Sequence, residues 1–302
     1  MYRNVLAPKQ LATWLCTALI PVVLQMCIRP HWALLLAVAV CFLATALVWK
    51  WGRVSRHPIL CGLQYLYIIV LLSQLLPHAA ASWPGDNYPA VPLVLLILAA
   101  WSAQKGASAA ARVGCVLFWL VLLFYLSLMG AAAEQVDPGN WAFSIGSIEP
   151  LPLVLLLLPC GALVLRKIEN GTPRLWLIGV FLLLSCLITQ GAAPELLKRT
   201  ADPLYELSRG IRAFGIAQRF EALLSAAMTT GWFCLLTVLL SCAGAWGSRN
   251  RGVIAVWVAA GGAGVLMLCN LHISWNLAAI MAAVFWVGIP LLTQGLDRRK
   301  NL

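Results

Sequence analysis

The sequence VGCVLFWLVLLFYLSLMGAAA, residues Val113–Ala133, decides the fold class. It runs for 21 residues without a charge, and a helix that crosses a bilayer needs roughly 20 mostly apolar residues. The whole chain of 302 residues is similar, with 62% hydrophobic residues, 10% charged residues and a mean hydropathy of +0.88. Because a soluble domain has about a quarter charged residues to wet its surface, this composition predicts an all-α polytopic membrane protein.

Apolar runs between polar residues predict ten transmembrane helices. These spans 1 to 10 are Leu11–Ile28, Trp32–Trp49, Ile59–Leu76, Val91–Ala103, Val113–Ala133, Leu151–Leu165, Leu175–Gly191, Glu221–Trp246, Val253–Leu271 and Ile273–Leu292. Span 8 is about 39 Å long by helical rise, which fits one tilted helix and is too short for two crossings. A cleaved signal peptide is the alternative for span 1, but no small-x-small cleavage site follows it.

Lysine and arginine are unevenly distributed between the two sides of the predicted bundle. With both termini in the cytoplasm, fifteen of the 21 lie on the inner side, where such residues concentrate in membrane proteins. The outer loops 77–90 and 134–150 contain acids and no base, whereas the outer stretch after span 7 is an exception with five bases. We expect one transmembrane domain over residues 1–302, in which two inverted halves cover about 11–133 and 151–292.

The residue types that carry catalysis or bind metals are scattered. Ten cysteines and four histidines lie singly, without a C-x-x-C pair or an H-E-x-x-H motif. There is also no G-x-S-x-G, no phosphate-binding loop and no pair of intramembrane carboxylates. The net charge of +11 comes from isolated bases rather than a basic face with aromatics. We therefore expect no metal, no cofactor, no enzyme activity and no nucleic-acid partner.

Helix breakers interrupt two spans. Span 1 contains Pro21, and span 6 contains Pro159, Cys160 and Gly161 in sequence. Proline removes a backbone donor and glycine lets the chain unwind, and such freed groups persist at membrane depth only against protein or a solvated cavity. Spans 1 and 6 are equivalent if the halves are inverted repeats, which favours a solute site between them. An ordinary proline kink is the alternative.

Polar residues within the spans are candidate solute ligands. They are Gln25 in span 1, Tyr65 in span 3, and Ser225 and Thr229 in span 8. Hydrogen bonding between helices without a ligand is the alternative for each. Before span 8, residues 194–219 alternate leucine and isoleucine with charged residues, as in an amphipathic helix lying on membrane lipid. A solvated connector or a surface that docks a partner are the other interpretations of this segment.

The stretch before span 8 resembles a known family. Asp202–Arg209 reads DPLYELSR and Ile216–Glu221 reads IAQRFE. This is similar to the stretch before helix 8 of the spore germination permeases, the B subunits of nutrient germinant receptors in the amino acid–polyamine–organocation superfamily. That family shows P-x-x-E-x-x-R followed by R-x-E. The matching residues here are Pro203, Glu206, Arg209, Arg219 and Glu221.

Two further motifs resemble the same family. Gly106 and Arg112 are similar to its G-x-E-x-x-x-R connector after helix 4, with Ser108 in place of the glutamate. Asp137–Trp141 resembles its polar turn after helix 5. The chain departs from the family at Asp202, where a tyrosine is usual, and it is shorter than typical members.

The resemblance implies a 5+5 inverted repeat of the transporter type, in which helices 1 and 6 unwind around a solute site lined by helices 3 and 8. It also implies a sensor of a small nutrient, often an amino acid, in the cell membrane or the spore inner membrane. Its partners would be a larger A-type membrane subunit and a C-type lipoprotein subunit. A secondary transporter for amino acids or amines is the alternative function, and a structural subunit that binds no ligand is another.

A substitution at Gly161 tests the expected break in span 6. We expect Gly161→Leu to abolish the nutrient response while membrane abundance stays normal, because a bulky side chain fills the space that an unwound helix leaves for a solute. The response is measured as germination against nutrient concentration, and abundance by immunoblotting of membranes. An undiminished response in this variant would remove span 6 from the site.

Overall fold

A computed structural model of the chain describes part of the sequence. The described residues are 7–26, 58–81, 90–134, 136–140, 220–246, 249–271 and 273–289, with the single positions 39, 43, 159, 180, 184, 187, 188, 191 and 192. All secondary structure in this part is helical, which confirms the all-α prediction there. Apart from those single positions, spans 2, 6 and 7 and the connector 194–219 lie outside the described residues.

Seven α-helices make up the described bundle. They are α1 (Pro8–Met26), α2 (Pro58–Ala81), α3 (Ala90–Ala103), α4 (Ala107–Ala133), α5 (Phe220–Ala243), α6 (Arg249–Leu268) and α7 (Trp275–Ala282). They correspond to spans 1, 3, 4, 5, 8, 9 and 10. Short 3-10 turns follow α4 and α5, and a π-helix, Ala283–Gly288, continues α7.

Four of these helices are long and apolar enough to cross a membrane, namely α2, α4, α5 and α6, while α3 and α7 are shorter apolar helices. The structure therefore supports a membrane-embedded helical protein. The count of ten spans and the inverted repeat stay predictions.

Two hydrogen bonds from side chains of α2 to backbone carbonyls in and just after α6 show that these helices are parallel. The Tyr65 hydroxyl donates to the Ala255 carbonyl over 2.6 Å, and the Gln74 amide donates to the Leu271 carbonyl over 2.8 Å. Later residues of α2 thus meet later residues of α6. The helix α7 is antiparallel to α2. Gln64 near the start of α2 bonds to Phe285, which follows the end of α7, and His78 near the end of α2 contacts Trp275 at the start of α7.

The direction of the remaining helices follows from their contacts. Gln104 at the end of α3 bonds to Trp257 near the start of α6, and Leu93 near the start of α3 lies beside Gly264. Thus α3 is antiparallel to α6, and short turns reverse the chain from α3 to α4 and from α5 to α6. Since α4 and α5 then run in opposite directions, the end of α4 and the start of α5 lie at the same face of the described bundle.

The turn after α4 contacts Gly191, the last residue predicted for span 7. The Asp137 carboxylate accepts a hydrogen bond from the Gly139 backbone over 2.9 Å, and the turn continues as one 3-10 turn over Pro138–Asn140. The backbone N–H of Asp137 and the amide of Asn140 both donate to the Gly191 carbonyl. The polar motif after span 5 is therefore a compact turn that is hydrogen-bonded to Gly191.

The helix α1 is the most enclosed part of the described structure and lies between α4 and α5. Leu11, Trp14, Ala18 and Val22 are all fully buried. The indole of Trp14 occupies the space that a side chain at Gly114 of α4 would fill. Small residues at such contacts allow helices in a membrane to approach closely, because packing rather than the hydrophobic effect drives their association.

The break expected in span 1 is absent, because α1 is α-helical from Pro8 to Met26 with Pro21 inside it. Proline leaves the carbonyl four residues earlier, here that of Thr17, without its helical donor. Gly231 of α5 lies against both groups: a Cβ at this glycine would be 2.5 Å from the Pro21 ring and 3.1 Å from the Thr17 carbonyl oxygen. Contact with α5 therefore stabilises the proline within a continuous helix.

Substitution of Gly231 tests this contact. We expect Gly231→Ala to lower the free energy of unfolding by about 1–3 kcal/mol, because the added methyl group overpacks a buried contact with a rigid ring. The matched control is Gly62→Ala on α2, an exposed position where a Cβ has no neighbour within 4 Å. The measurement is the melting temperature of the detergent-solubilised protein. Equal melting temperatures for the two variants would contradict the packing described.

Candidate solute site

The structure brings three of the predicted ligand residues to two neighbouring helices. Pro21 is buried on α1 against Gly231, which follows Thr229 by two residues on α5. The Thr229 hydroxyl donates to the Ser225 carbonyl over 2.7 Å. The Ser225 hydroxyl is buried and has no hydrogen-bond partner among the described residues. Of these side chains, Ser225 therefore offers the hydroxyl with unused hydrogen-bonding capacity.

Tyr65 lies elsewhere in the bundle. It is half-buried on α2, and its hydroxyl bonds to the Ala255 carbonyl of α6. The structure thus gives Tyr65 the role of a link between helices, which was the alternative to ligand binding. Gln25 lies in the last turn of α1, and its side chain is outside the described part of the chain.

The two prolines contact α5 at different levels. The carbonyl of Pro159 is 3.2 Å from the Cys242 sulfur, and Pro159 is buried. Pro21 instead contacts Gly231. These two positions of α5 are eleven residues apart, which corresponds to about 16 Å along a helix. The described contacts therefore do not place Pro21 and Pro159 around one site. Cys160 and Gly161 lie outside the described residues.

Among the described residues, little space remains between α1, α4 and α5 around Ile20. A cavity between α1, α4 and α5 has a volume of about 10 Å³ and is lined mainly by apolar side chains such as Ile20, Val121 and Leu224. A space of roughly 10–15 Å³ accommodates one water molecule, so it is far too small for an amino acid. A solute that reached this cavity would have to separate the three helices.

A buried amide on α2 is a functional candidate outside the set of ligand residues that the sequence predicts. Gln64 is 2% exposed, and its Nε2 donates to the Phe285 carbonyl over 3.0 Å. That carbonyl belongs to the π-helix Ala283–Gly288, and π-helical turns inside helices frequently lie at functional sites. The Gln64 Oε1 is buried and has no partner in the described structure. Flipping the amide would bring two oxygens together, so the carbonyl fixes its orientation.

An aromatic pair lies one turn from this amide. Tyr67 of α2 and Trp286 of the π-helix are both buried, with ring centroids 6.4 Å apart in an edge-to-face arrangement. Polar and aromatic contacts thus hold α2 and the π-helix in one register. Nothing in the sequence of span 10 marks the π-helix, so its pairing with Gln64 and Tyr67 of span 3 could not be predicted.

The family-motif residues that are described form a turn and a surface. Gly106 ends the turn before α4 with a φ of 100°, a conformation that favours glycine. Arg112 is exposed, and its Nε donates to the Ser108 carbonyl over 3.3 Å. Glu221 begins α5, but its side chain is outside the described part. Also outside it are Pro203, Glu206, Arg209 and Arg219.

Metal binding has no support in the described residues, since none of them form a group of three or more His, Cys, Asp or Glu side chains. No protein-family model matches the chain, and no curated protein matches it.

The bond from Gln64 to the π-helix is testable. We expect Gln64→Met to lower the free energy of unfolding by about 1 kcal/mol, because it removes the donor to the part-buried Phe285 carbonyl. Leu63→Met, at the neighbouring half-buried position, is the matched control and should be nearly neutral. Thermal unfolding of the purified protein in detergent measures both. A neutral Gln64→Met would show that the π-helix does not depend on this amide.

Proposed function

We propose that the chain is the membrane-embedded subunit of a spore nutrient germinant receptor, sensing a small solute, an amino acid by preference. In this proposal it acts in the spore inner membrane with an A-type membrane subunit and a C-type lipoprotein. One observation carries the most weight. The spans that line the solute site in the resembling family are 3 and 8, here α2 and α5. These are 56% and 67% buried over their apolar windows, against 33% for both α4 and α6.

The chemistry of the interior supports a sensor over an ion-coupled transporter. The buried polar side chains of the described helices are all uncharged: Thr17, Gln64, Ser73, Gln74, Ser225, Thr237 and Ser241. Intramembrane carboxylates and other ionisable groups mark proton and ion pathways in transporters. The described helices contain no buried candidate for that role. Hydroxyls, amides and backbone groups suit recognition of a zwitterion, since helix N-termini favour carboxylates and carbonyls favour an ammonium group.

Copurification from the native membrane tests the assembly. We expect the tagged chain, solubilised gently, to bring down a large membrane subunit and a lipoprotein, identified by mass spectrometry. We also expect cells that express it to take up no more labelled amino acid than cells that lack it. Recovery of the chain alone, with uptake that depends on it, would replace this proposal with the transporter.

Ser225→Ala tests whether α5 contributes a ligand hydroxyl. The substitution removes a buried hydroxyl without a partner, so the melting temperature should stay equal or rise slightly. A solute that bonds to this hydroxyl should then need about a fivefold to tenfold higher concentration for the same germination response, since one such bond contributes about 1 kcal/mol or more. Thr230→Val is the control, because the Thr230 hydroxyl bonds within α5 to Ala226. If both variants need the same nutrient concentration for the same germination response, Ser225 is excluded from the site.

A further inference from the structure

The turn between α3 and α4 is recessed against the side of α6. The Gln104 Oε1 in this turn accepts a hydrogen bond from the Trp257 indole over 3.0 Å. Trp257 lies six residues after Arg251, which corresponds to about 9 Å along α6. The contacts of Leu93 with Gly264 and of Gln104 with Trp257 place the turn between roughly half a turn and two turns of α6 deeper in the bundle than Arg251, which is exposed close to the start of that helix.

A lysine is held in this recess. The Lys105 ammonium lies 5.7 Å from the centre of the Trp101 ring, and both side chains are exposed. On α6, at the level of the turn, the exposed neighbours are apolar: Ile254 is 63% exposed and Val258 is 55% exposed. A cation beside lipid-facing apolar side chains requires an anion or water, because an isolated charge in that zone is costly.

The chain supplies no anion to this end of the bundle within the described part. The carboxylates of Glu134 and Asp137 follow the end of α4 at the opposite face, and Glu221 begins α5 at that same face. The end that contains Lys105 also carries the exposed bases Lys9 and Arg112, at or near the starts of α1 and α4. The negative charge that complements the recess must come from outside these residues.

We propose that the recess between the α3–α4 turn and the start of α6 binds the phosphate of an anionic phospholipid from the inner leaflet. Lys105 and Arg251 contact the phosphate from two depths. The indoles of Trp101 and Trp257 lie at headgroup level, where tryptophan concentrates in membrane proteins. The acyl chains lie along the apolar face at Ile254 and Val258. This site does not depend on the proposed receptor function.

Lipid titration of the purified full-length chain tests the proposal. We expect phosphatidylglycerol in mixed micelles to raise the melting temperature, and phosphatidylcholine at equal concentration to raise it less. Lys105→Gln and Arg251→Gln should each increase the half-maximal phosphatidylglycerol concentration about fivefold, the effect of one base near an anionic surface. Lys105→Arg should retain the response. The matched control is Lys9→Gln, which removes an exposed base from α1, a helix packed on α4 and α5.

Three results would overturn the site. The first is equal stabilisation by phosphatidylcholine and phosphatidylglycerol. The second is an equal half-maximal concentration for Lys105→Gln, Arg251→Gln and Lys9→Gln. The third is full stabilisation by soluble glycerol 1-phosphate at the same concentration, which would assign the recess to a free anion. Melting temperatures without added lipid check that the variants are folded.

Discussion

The close approach of α1 to α4 and α5 is the constraint on which the described bundle depends. Trp14 fills the space above Gly114, and Pro21 fills the space above Gly231. Because neighbouring helices in lipid gain little from the hydrophobic effect, such steric fits set how near they lie. These two contacts fix the height of α1 relative to α4 and to α5. They also join the two predicted halves of the chain, since α4 belongs to the first half and α5 to the second.

The sequence allowed the seven described helices to be located well, for a physical reason. A bilayer demands continuous apolar helices, so their positions are encoded locally in hydropathy. Span 4 was predicted at Val91–Ala103 and α3 occupies Ala90–Ala103. The prediction for span 5 began at Val113, whereas α4 begins at Ala107. The difference arises because hydropathy marks the lipid zone, while an alanine-rich stretch continues the helix beyond it.

The candidate site was far less predictable, because it depends on contacts between distant residues. Pro21 was read as a break, yet its effect on α1 is decided by Gly231, which no local pattern connects with it. The bond from Gln64 to Phe285 joins residues 221 positions apart. A hydropathy pattern gives the same score to a proline that unwinds a helix and to one that packs against a glycine. Only the partner helix distinguishes them.

The two kinds of helix contact differ in what it costs to separate them. Separating α2 from the π-helix would leave the part-buried Phe285 carbonyl without its side-chain donor, whereas the Ala255 carbonyl in the middle of α6 would keep its helical donor. Moving α1 away from Gly231 removes contacts between a proline ring and a glycine, which are individually weak dispersion contacts. Since the cavity beside Pro21 is too small for a nutrient, a solute that enters there must separate helices. The α1–α5 contact is nevertheless the most extensive helix contact of the described bundle, so a solute that enters there would have to break many such dispersion contacts at once.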